Sequence, residues 1–230
     1  MNPVLTLTHD NFTMTQRVIQ SVKDQDIPTE MMVIDNNSSD GTWQFLLAQG
    51  FGRGYSFAYP TNRGVSVGWN DGLSILFNRG AEHVLVVGND TWLPKTFYRT
   101  LLECNVPFVT GVAVDNYEQA NQPPQTSPLE PHPDFSAFLI RKECYEKVGT
   151  FDERMKLYSS DQDYHLRAHR MGVQLWKAPV PYYHERSSTL RNASHEEQCE
   201  LYEQSHQDRR FFQEKHGVVP GSQEYEALFV

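Results

Sequence analysis

The stretch that most constrains the fold is Val84–Trp92, VLVVGNDTW, in which an apolar run ends at Gly88 and the chain then presents Asn89 and Asp90. An uninterrupted apolar run closed by a turn signal suits a strand buried on both faces of a parallel sheet. In such sheets ligands bind beyond the carboxyl ends of the strands, where Asn89-Asp90 stands. Taken alone, the pair is equally well explained as an Asx turn ahead of a helix near Pro94. The rest of the chain has to decide.

Val4–Thr8 reads as a first strand, ended by His9-Asp10-Asn11. Thr13 with Gln16 fits a capping box opening an amphipathic helix. Met31–Ile34 is a second strand, broken by Asp35–Gly41, and Thr42–Gln49 a short helix. Tyr55–Tyr59 is a third strand, followed by a helix with Trp69, Leu73, Leu76 and Phe77 on one face. Repeated strand–helix units imply right-handed crossovers, so the fold class is α/β with a Rossmann-like, mostly parallel central sheet flanked by helices.

Beyond Trp92 the pattern changes. Val106–Val114 and Phe135–Ile140 read as strands, and the polar, proline-bearing stretch Asp115–Pro133 between them shows no element of its own. Long connections of that kind in compact domains are commonly functional. Helices are expected over Lys142–Val148 and Asp161–Met171, the latter with Asp161 as N-cap. Val173–Trp176 and Val180–Tyr183 read as short strands that complete a small antiparallel sheet. Ser194 with Glu197 forms a second capping box opening a helix to about Lys215, which Gly217 ends. The expected organisation is one domain over 1–193, with halves 1–92 and 93–193, and a C-terminal helix and tail over 194–230 packed on it.

Composition narrows the function. A chain of 230 residues, 39% hydrophobic, suits one sizeable domain. A net charge of −9 argues against non-specific binding to nucleic acid or to an anionic membrane. No stretch approaches the roughly 20 apolar residues of a membrane span, and nothing resembles a signal peptide. Cys104, Cys144 and Cys199 are too few and too scattered for a disulfide framework or a zinc cluster, so a cytoplasmic protein is expected. Gly50-Phe51-Gly52-Arg53-Gly54 imitates a dinucleotide loop, but it follows a helix and precedes a strand and is read as a flexible connection.

Polar groups then collect at strand ends: Asp35-Asn36-Asn37, Asn89-Asp90, Asp161-Gln162-Asp163, and His184 after Val180–Tyr183. That ordered set resembles the inverting family 2 glycosyltransferases of the GT-A fold. The likeness runs through Val4-Leu5-Thr6-Leu7-Thr8, Val33–Thr42, Asn62–Gly72, Gly88-Asn89-Asp90-Thr91, Phe151-Asp152-Glu153, Asp161-Gln162-Asp163-Tyr164 with Arg167 and Gly172, and Tyr183-His184, covering roughly residues 3–190.

The resemblance implies a single GT-A domain whose first half, 1–92, binds a nucleotide-diphosphate sugar, UDP- or dTDP-linked, while 93–193 faces the acceptor. Asp35 is placed to accept from a ribose hydroxyl or base N–H, within a loop that includes Asn37. Thr8 and His9 wall the base, and Arg63 and Asn70 steady the base or the diphosphate. Asn89 orients the turn or contacts the sugar or ribose, and Arg186, in a loop with Ser187 and Ser188, closes over the diphosphate. Asp90 and, by the resemblance, His184 hold a divalent cation, Mn²⁺ or Mg²⁺, with the imidazole favouring Mn²⁺. Asp161 is the expected general base and Asp163 the alternative.

Two departures stand out. Ser160 occupies a position where the family commonly has glutamate, and Asn89 one where an acidic residue is common. The first leaves open a catalytically weak sugar-nucleotide or glycan-binding module. A sugar-phosphate nucleotidyltransferase would carry a Gly-rich basic loop after the first strand, where His9-Asp10-Asn11-Phe12 stands instead. Glycan, lipid-linked intermediate, protein and modified nucleobase all stay open as acceptors, and the oligomeric state is not encoded legibly.

Overall fold

A computed structural model describes residues 2–52, 56–124, 127–131, 133–186 and 193–229. The elements alternate as the pattern predicts: β1 (Pro3–Thr8), α1 (Phe12–Lys23), β2 (Glu30–Asp35), α2 (Thr42–Ala48), β3 (Phe57–Ala58), α3 (Val65–Asn78) and β4 (His83–Gly88). There follow β5 (Thr91–Trp92), α4 (Phe97–Glu103), β6 (Phe108–Val114), α5 (Tyr117–Ala120), β7 (Ala137–Arg141), α6 (Lys142–Val148), α7 (Ser160–Arg170), β8 (Trp176–His184), α8 (His195–His216) and α9 (Gln223–Glu226).

All the strands join one eight-stranded sheet in the order β3-β2-β1-β4-β7-β6-β8-β5. β3, β2, β1 and β4 run parallel, and β7 is antiparallel to both β4 and β6. The antiparallel pairing expected of the second half is therefore a continuation of the central sheet. The chain moves outward from β1 through β2 to β3, then returns to place β4 on the other side of β1. That reversal makes a topological switch point between β1 and β4, where open α/β sheets bind ligands.

Both faces of the sheet are covered. Leu5, Leu7, Met32, Ile34, Val84 and Val86 pack with Trp69, Leu73, Leu76 and Phe77 of α3, while Val4, Leu85 and Val87 pack with Val18 and Val22 of α1 and Phe97, Tyr98 and Leu101 of α4. Each such side chain, fully buried, contributes about 1.5–3 kcal/mol. α3 sits especially close to β1: a Cβ on Gly68 or Gly72 would collide with a methyl of Leu7 or Leu5, respectively.

Several local expectations are corrected. Thr13 does not cap α1; the N-cap is Asn11, left-handed at φ 58, and the Phe12 N–H donates instead to Asp40 Oδ2 at 2.8 Å. The capping carboxylate thus comes from the loop after β2, which no local pattern shows. Asp161 is likewise not an N-cap, because Ser159 (φ 63) holds that position and α7 starts at Ser160. The two short strands expected over 173–176 and 180–183 give way to one: residues 173–175 form no strand, and Trp176 opens β8, which runs on through 180–183 parallel to β6, with a register shift between Thr110 and Val112. Pro179 and Pro181 fall there, and a proline has no N–H to give the ladder. The stretch 115–133 is not without structure: Asn116 accepts from Gln119 N–H at 2.8 Å and caps the short helix α5, and Glu130 bridges to Lys177. Arg53 and Gly54 of the glycine-rich connection lie outside the described residues.

The Ser194–Glu197 capping box forms as expected, and Gly217 ends α8 at φ 80. Phe212 and Tyr225 pack on Met155 and Leu166, which seats the end of α8 and the tail against α7.

Candidate active site

The β1–β2 register sets Thr8 beside Asp35 at the carboxyl end of the sheet. Thr8 is fully buried, shares a 2.7 Å hydrogen bond with Thr15 Oγ1, and accepts from Asn89 Nδ2 at 3.4 Å. It therefore ties the end of β1 to the turn after β4. Asp35 Oδ1 accepts from the Ser38 N–H at 2.9 Å, while its Oδ2 is buried with no hydrogen-bond partner. An unsatisfied buried acceptor costs about 1–3 kcal/mol, so this oxygen is suited to a donor brought by a ligand. His9 Nδ1 is buried and unpartnered in the same way.

Asn36, which sequence reading did not single out, joins the two loops beside this corner. Its Nδ2 donates to Asn62 Oδ1 and its Oδ1 accepts from the Arg63 N–H, each at 2.8 Å. Asn37 is exposed and left-handed at φ 69, a turn residue. The Arg63 guanidinium lies 5.1 Å over the Tyr59 ring and 3.4 Å from Asp71 Oδ2, so its charge is already partly matched within the protein.

Asp90 and His184, far apart in sequence, converge. The antiparallel pairing of β5 with β8 sets Thr91 opposite His184, and the Glu185 N–H donates to Asp90 O at 2.9 Å. The result is 3.4 Å between Asp90 Oδ2 and His184 Nε2, with both side chains about a fifth exposed. Thr91 Oγ1 donates to Gly88 O at 2.8 Å and closes the turn that carries Asn89-Asp90. Among the described residues no three His, Cys, Asp or Glu side chains gather into a ready-made metal cage. A carboxylate and an imidazole meeting at one open corner nevertheless fit a cation whose remaining ligands are phosphate oxygens and water.

Asp161 stands in the first turn of α7. The residue keeps some exposed surface, but protein crowds its carboxyl group. That desolvation raises its pKa, with a smaller push from Asp134; the Gln162 and Asp161 N–H groups oppose both. Asp134 is a second residue that sequence reading missed. Its Oδ1 accepts from Ser136 N–H (3.0 Å), Ser136 Oγ (2.6 Å) and Tyr182 OH (3.1 Å), and the Ser136 carbonyl accepts from the Gly88 N–H at 2.8 Å. A continuous hydrogen-bonded path thus runs from the turn bearing Asp90 to the carboxylate that acts on Asp161.

Three further candidates are engaged with neighbouring side chains and backbone. Asn70 is buried: its Oδ1 accepts from the Phe151 N–H at 2.8 Å and its Nδ2 donates to Phe151 O and Glu153 Oε1, so its amide joins α3 to the 151–153 segment. Asp163 is fully buried against Arg167 (2.8 Å), Lys215 (2.6 Å) and His216 (2.8 Å). Burial alone would raise its pKa, but these neighbours outweigh it and hold it below the ordinary value, which makes a poor proton acceptor. Arg186 is exposed and pairs with Asp115 at 3.3 Å at the end of β6; Ser187 and Ser188 lie outside the described residues.

A family model for "Glycosyl transferase family 2" matches residues 4–166. No curated protein matches the sequence significantly. Similar solved structures include TarS 1-349 from S. aureus in complex with UDP (TM-score 0.60, 17% identity, covering 80% of this chain and 60% of that one). The mannosyltransferase PcManGT from Pyrobaculum calidifontis, in complex with GDP-Man and Mn²⁺, gives TM-score 0.60 at 16% identity over 95% of this chain and 65% of that one. GalNAc-T7 with UDP, GalNAc and Mn²⁺ gives 0.62 at 12% identity over 80% and 43%. These likenesses concern the fold, and the chain spans less than two thirds of each of the three proteins. With more than half of its residues matched by the family model, the chain belongs to glycosyl transferase family 2.

Proposed function

We propose that the protein is a metal-dependent inverting glycosyltransferase that moves a sugar from a nucleotide-diphosphate donor, UDP- or dTDP-linked, to an acceptor hydroxyl. The observation that carries this reading is the meeting of Asp90 and His184 beside the corner formed by Thr8, Asp35 and Asn89. The partnerless Asp35 Oδ2 supplies an acceptor for the nucleoside, and Thr8 and His9 wall the base. Asp90 and His184 would hold Mn²⁺ or Mg²⁺, which when bound neutralises charge on the leaving diphosphate. The UDP, GDP-Man and Mn²⁺ present in the similar structures support a donor and metal of these classes.

Asp161 takes the proton of the acceptor hydroxyl. The acceptor oxygen bonds to the anomeric carbon as the bond from that carbon to the phosphate oxygen breaks, and the electron pair leaves with the diphosphate. One displacement inverts the anomeric centre and needs no covalent intermediate. The raised pKa of Asp161 makes it a stronger proton acceptor than an ordinary aspartate.

A thermal-shift screen of nucleoside diphosphates and nucleotide sugars, with and without Mn²⁺, tests the proposal. Stabilisation by one nucleotide family that depends on metal, and metal-dependent hydrolysis of its sugar conjugate, are the expected results. A protein that binds no nucleoside diphosphate in the presence of Mn²⁺ would end it. Tight nucleotide-sugar binding with no turnover over a panel of acceptors and in water would favour the binding module instead.

A further inference from the structure

Asp208 lies on α8, outside the residues matched by the family model, and is fully buried. Its Oδ2 accepts from the Leu157 and Tyr158 N–H groups at 2.9 and 2.8 Å, and its Oδ1 from the Lys156 N–H at 3.2 Å and Gln204 Nε2 at 2.7 Å. A carboxylate is tolerated in the interior only when its lone pairs are engaged, and here both oxygens are. Their partners include successive backbone amides of the turn that feeds α7.

That turn runs directly into Ser159, left-handed at φ 63, then Ser160 and Asp161. A non-glycine residue in this conformation persists where its surroundings fix it. The turn is held from the opposite side as well: Lys156 O accepts from the Val65 N–H at 2.7 Å, and Ser66 Oγ donates to Met155 O at 2.6 Å. It is thus clamped between α3, which rises from the nucleotide corner, and α8.

We infer that Asp208 is a positioning residue for the transfer reaction: through the 156–158 amides it fixes where the first turn of α7, and with it the Asp161 carboxylate, stands. The inference rests on reading Asp161 as the base. Attachment of α8 does not depend on Asp208 alone, since Phe212 packs on Met155 and Leu166 and Asp163 binds Lys215 and His216. The helix is then part of the machinery that sets the base.

The test is steady-state hydrolysis of the nucleotide sugar identified by thermal shift, with Mn²⁺, for wild type, Asp208→Asn, Asp161→Asn and the double variant. Asp208→Asn keeps the side-chain shape and carries the test where Asp208→Ala does not fold. A displaced reacting group costs up to about 100-fold, so Asp208→Asn should lower kcat by about 10- to 100-fold and leave the donor KM within about twofold. The double variant should be no slower than Asp161→Asn, because the lost interaction acts through the same carboxylate. Wild-type kcat in Asp208→Asn beside a much slower Asp161→Asn, a loss confined to KM, or multiplicative losses in the double variant would each overturn the positioning role. A wild-type protein that turns over no nucleotide sugar, or Asp161→Asn at wild-type kcat, would instead overturn the reading of the site and this inference with it.

Discussion

Asp90 Oδ2 and His184 Nε2 lie 3.4 Å apart because Thr91 and His184 are paired across two antiparallel strands. Two consequences separate cleanly. Asp90→Ala removes the oxygen ligand proposed for the cation and should abolish both Mn²⁺-dependent stabilisation by nucleotide and hydrolysis of the sugar conjugate. His184→Ala leaves Asp90 in place and should weaken apparent Mn²⁺ affinity by at least about 10- to 100-fold, the cost of removing a residue that stands behind a metal ligand. A Mn²⁺ titration of the thermal shift for each variant measures the difference, and an unchanged Mn²⁺ response in Asp90→Ala would refute the site.

Asp161 should reveal itself in the pH dependence. Desolvation raises its pKa, with Asp134 adding to the effect, so the carboxyl reaches its basic form at a higher pH than an ordinary aspartate. The acid limb of the kcat profile should therefore lie above the usual carboxylate range, and Asp134→Asn should move it downward. The stability sign is opposite. A raised folded-state pKa favours folding while the group is neutral, and that contribution is lost as pH rises through the folded-state pKa. Asp161→Asn should accordingly raise Tm at neutral pH while leaving only a slow residual turnover. A Tm equal to or below wild type would contradict the desolvated carboxylate.

For Asp163 the expected phenotype is structural. Asp163→Asn strands Arg167 and Lys215 beside a neutral amide and should cost about 3–5 kcal/mol of stability, read by urea denaturation. His216 adds little charge, since burial lowers its pKa even though Asp163 pulls the other way. The folded-state pKa of Asp163 lies below the ordinary 3.8, so its contribution is fully present above that value and is lost as pH falls through the folded-state pKa. The variant should accordingly show a flatter acid dependence of Tm. If its denaturation midpoint matched wild type, the buried ion cluster would not be stabilising the fold.

Asn36 makes a different prediction. Its amide holds the Asn62–Arg63 loop against the end of β2 beside Asp35. Asn36→Ala removes both bonds, and at about 1 kcal/mol for each the nucleotide should bind roughly 10-fold or more weakly. Because Asp161 and the Asp90 turn are untouched, kcat at saturating donor should hold. Isothermal titration with the nucleoside diphosphate and Mn²⁺, beside a saturation curve, distinguishes this from a general loss of activity.

What was legible in the sequence follows from distance along the chain. β1, β2 and β4 are readable because each is a local apolar run, whereas β3 shrinks from the expected Tyr55–Tyr59 to Phe57–Ala58, and the Trp69–Phe77 stripe is readable because helix periodicity repeats within a few residues. Asp90 with His184 was readable only through the resemblance, since their meeting depends on the β5–β8 pairing. Asn36 and Asp134 stayed hidden because their importance lies in hydrogen bonds to Asn62, Arg63 and Tyr182 that no periodic pattern records. The hydrogen bonds of Asn70 to Phe151 and Glu153 are hidden for the same reason, since they join segments far apart in the chain. The caps failed where a distant loop supplies the acceptor, as Asp40 does for Phe12.

The continuous sheet has a practical corollary for engineering. Because β4 is hydrogen-bonded to β1 on one side and to β7 on the other, the first and second halves of the chain share one continuous ladder. Under the function proposed above, exchanging 115–133, the connection from β6 to β7, is a graft that cuts no strand of the ladder, provided that Tyr117 and Glu130, which contact Tyr183 and Lys177 of β8, are kept. A chimera cut between β4 and β7 would instead have to rebuild a strand interface, and its yield of folded protein would fall before its specificity could change.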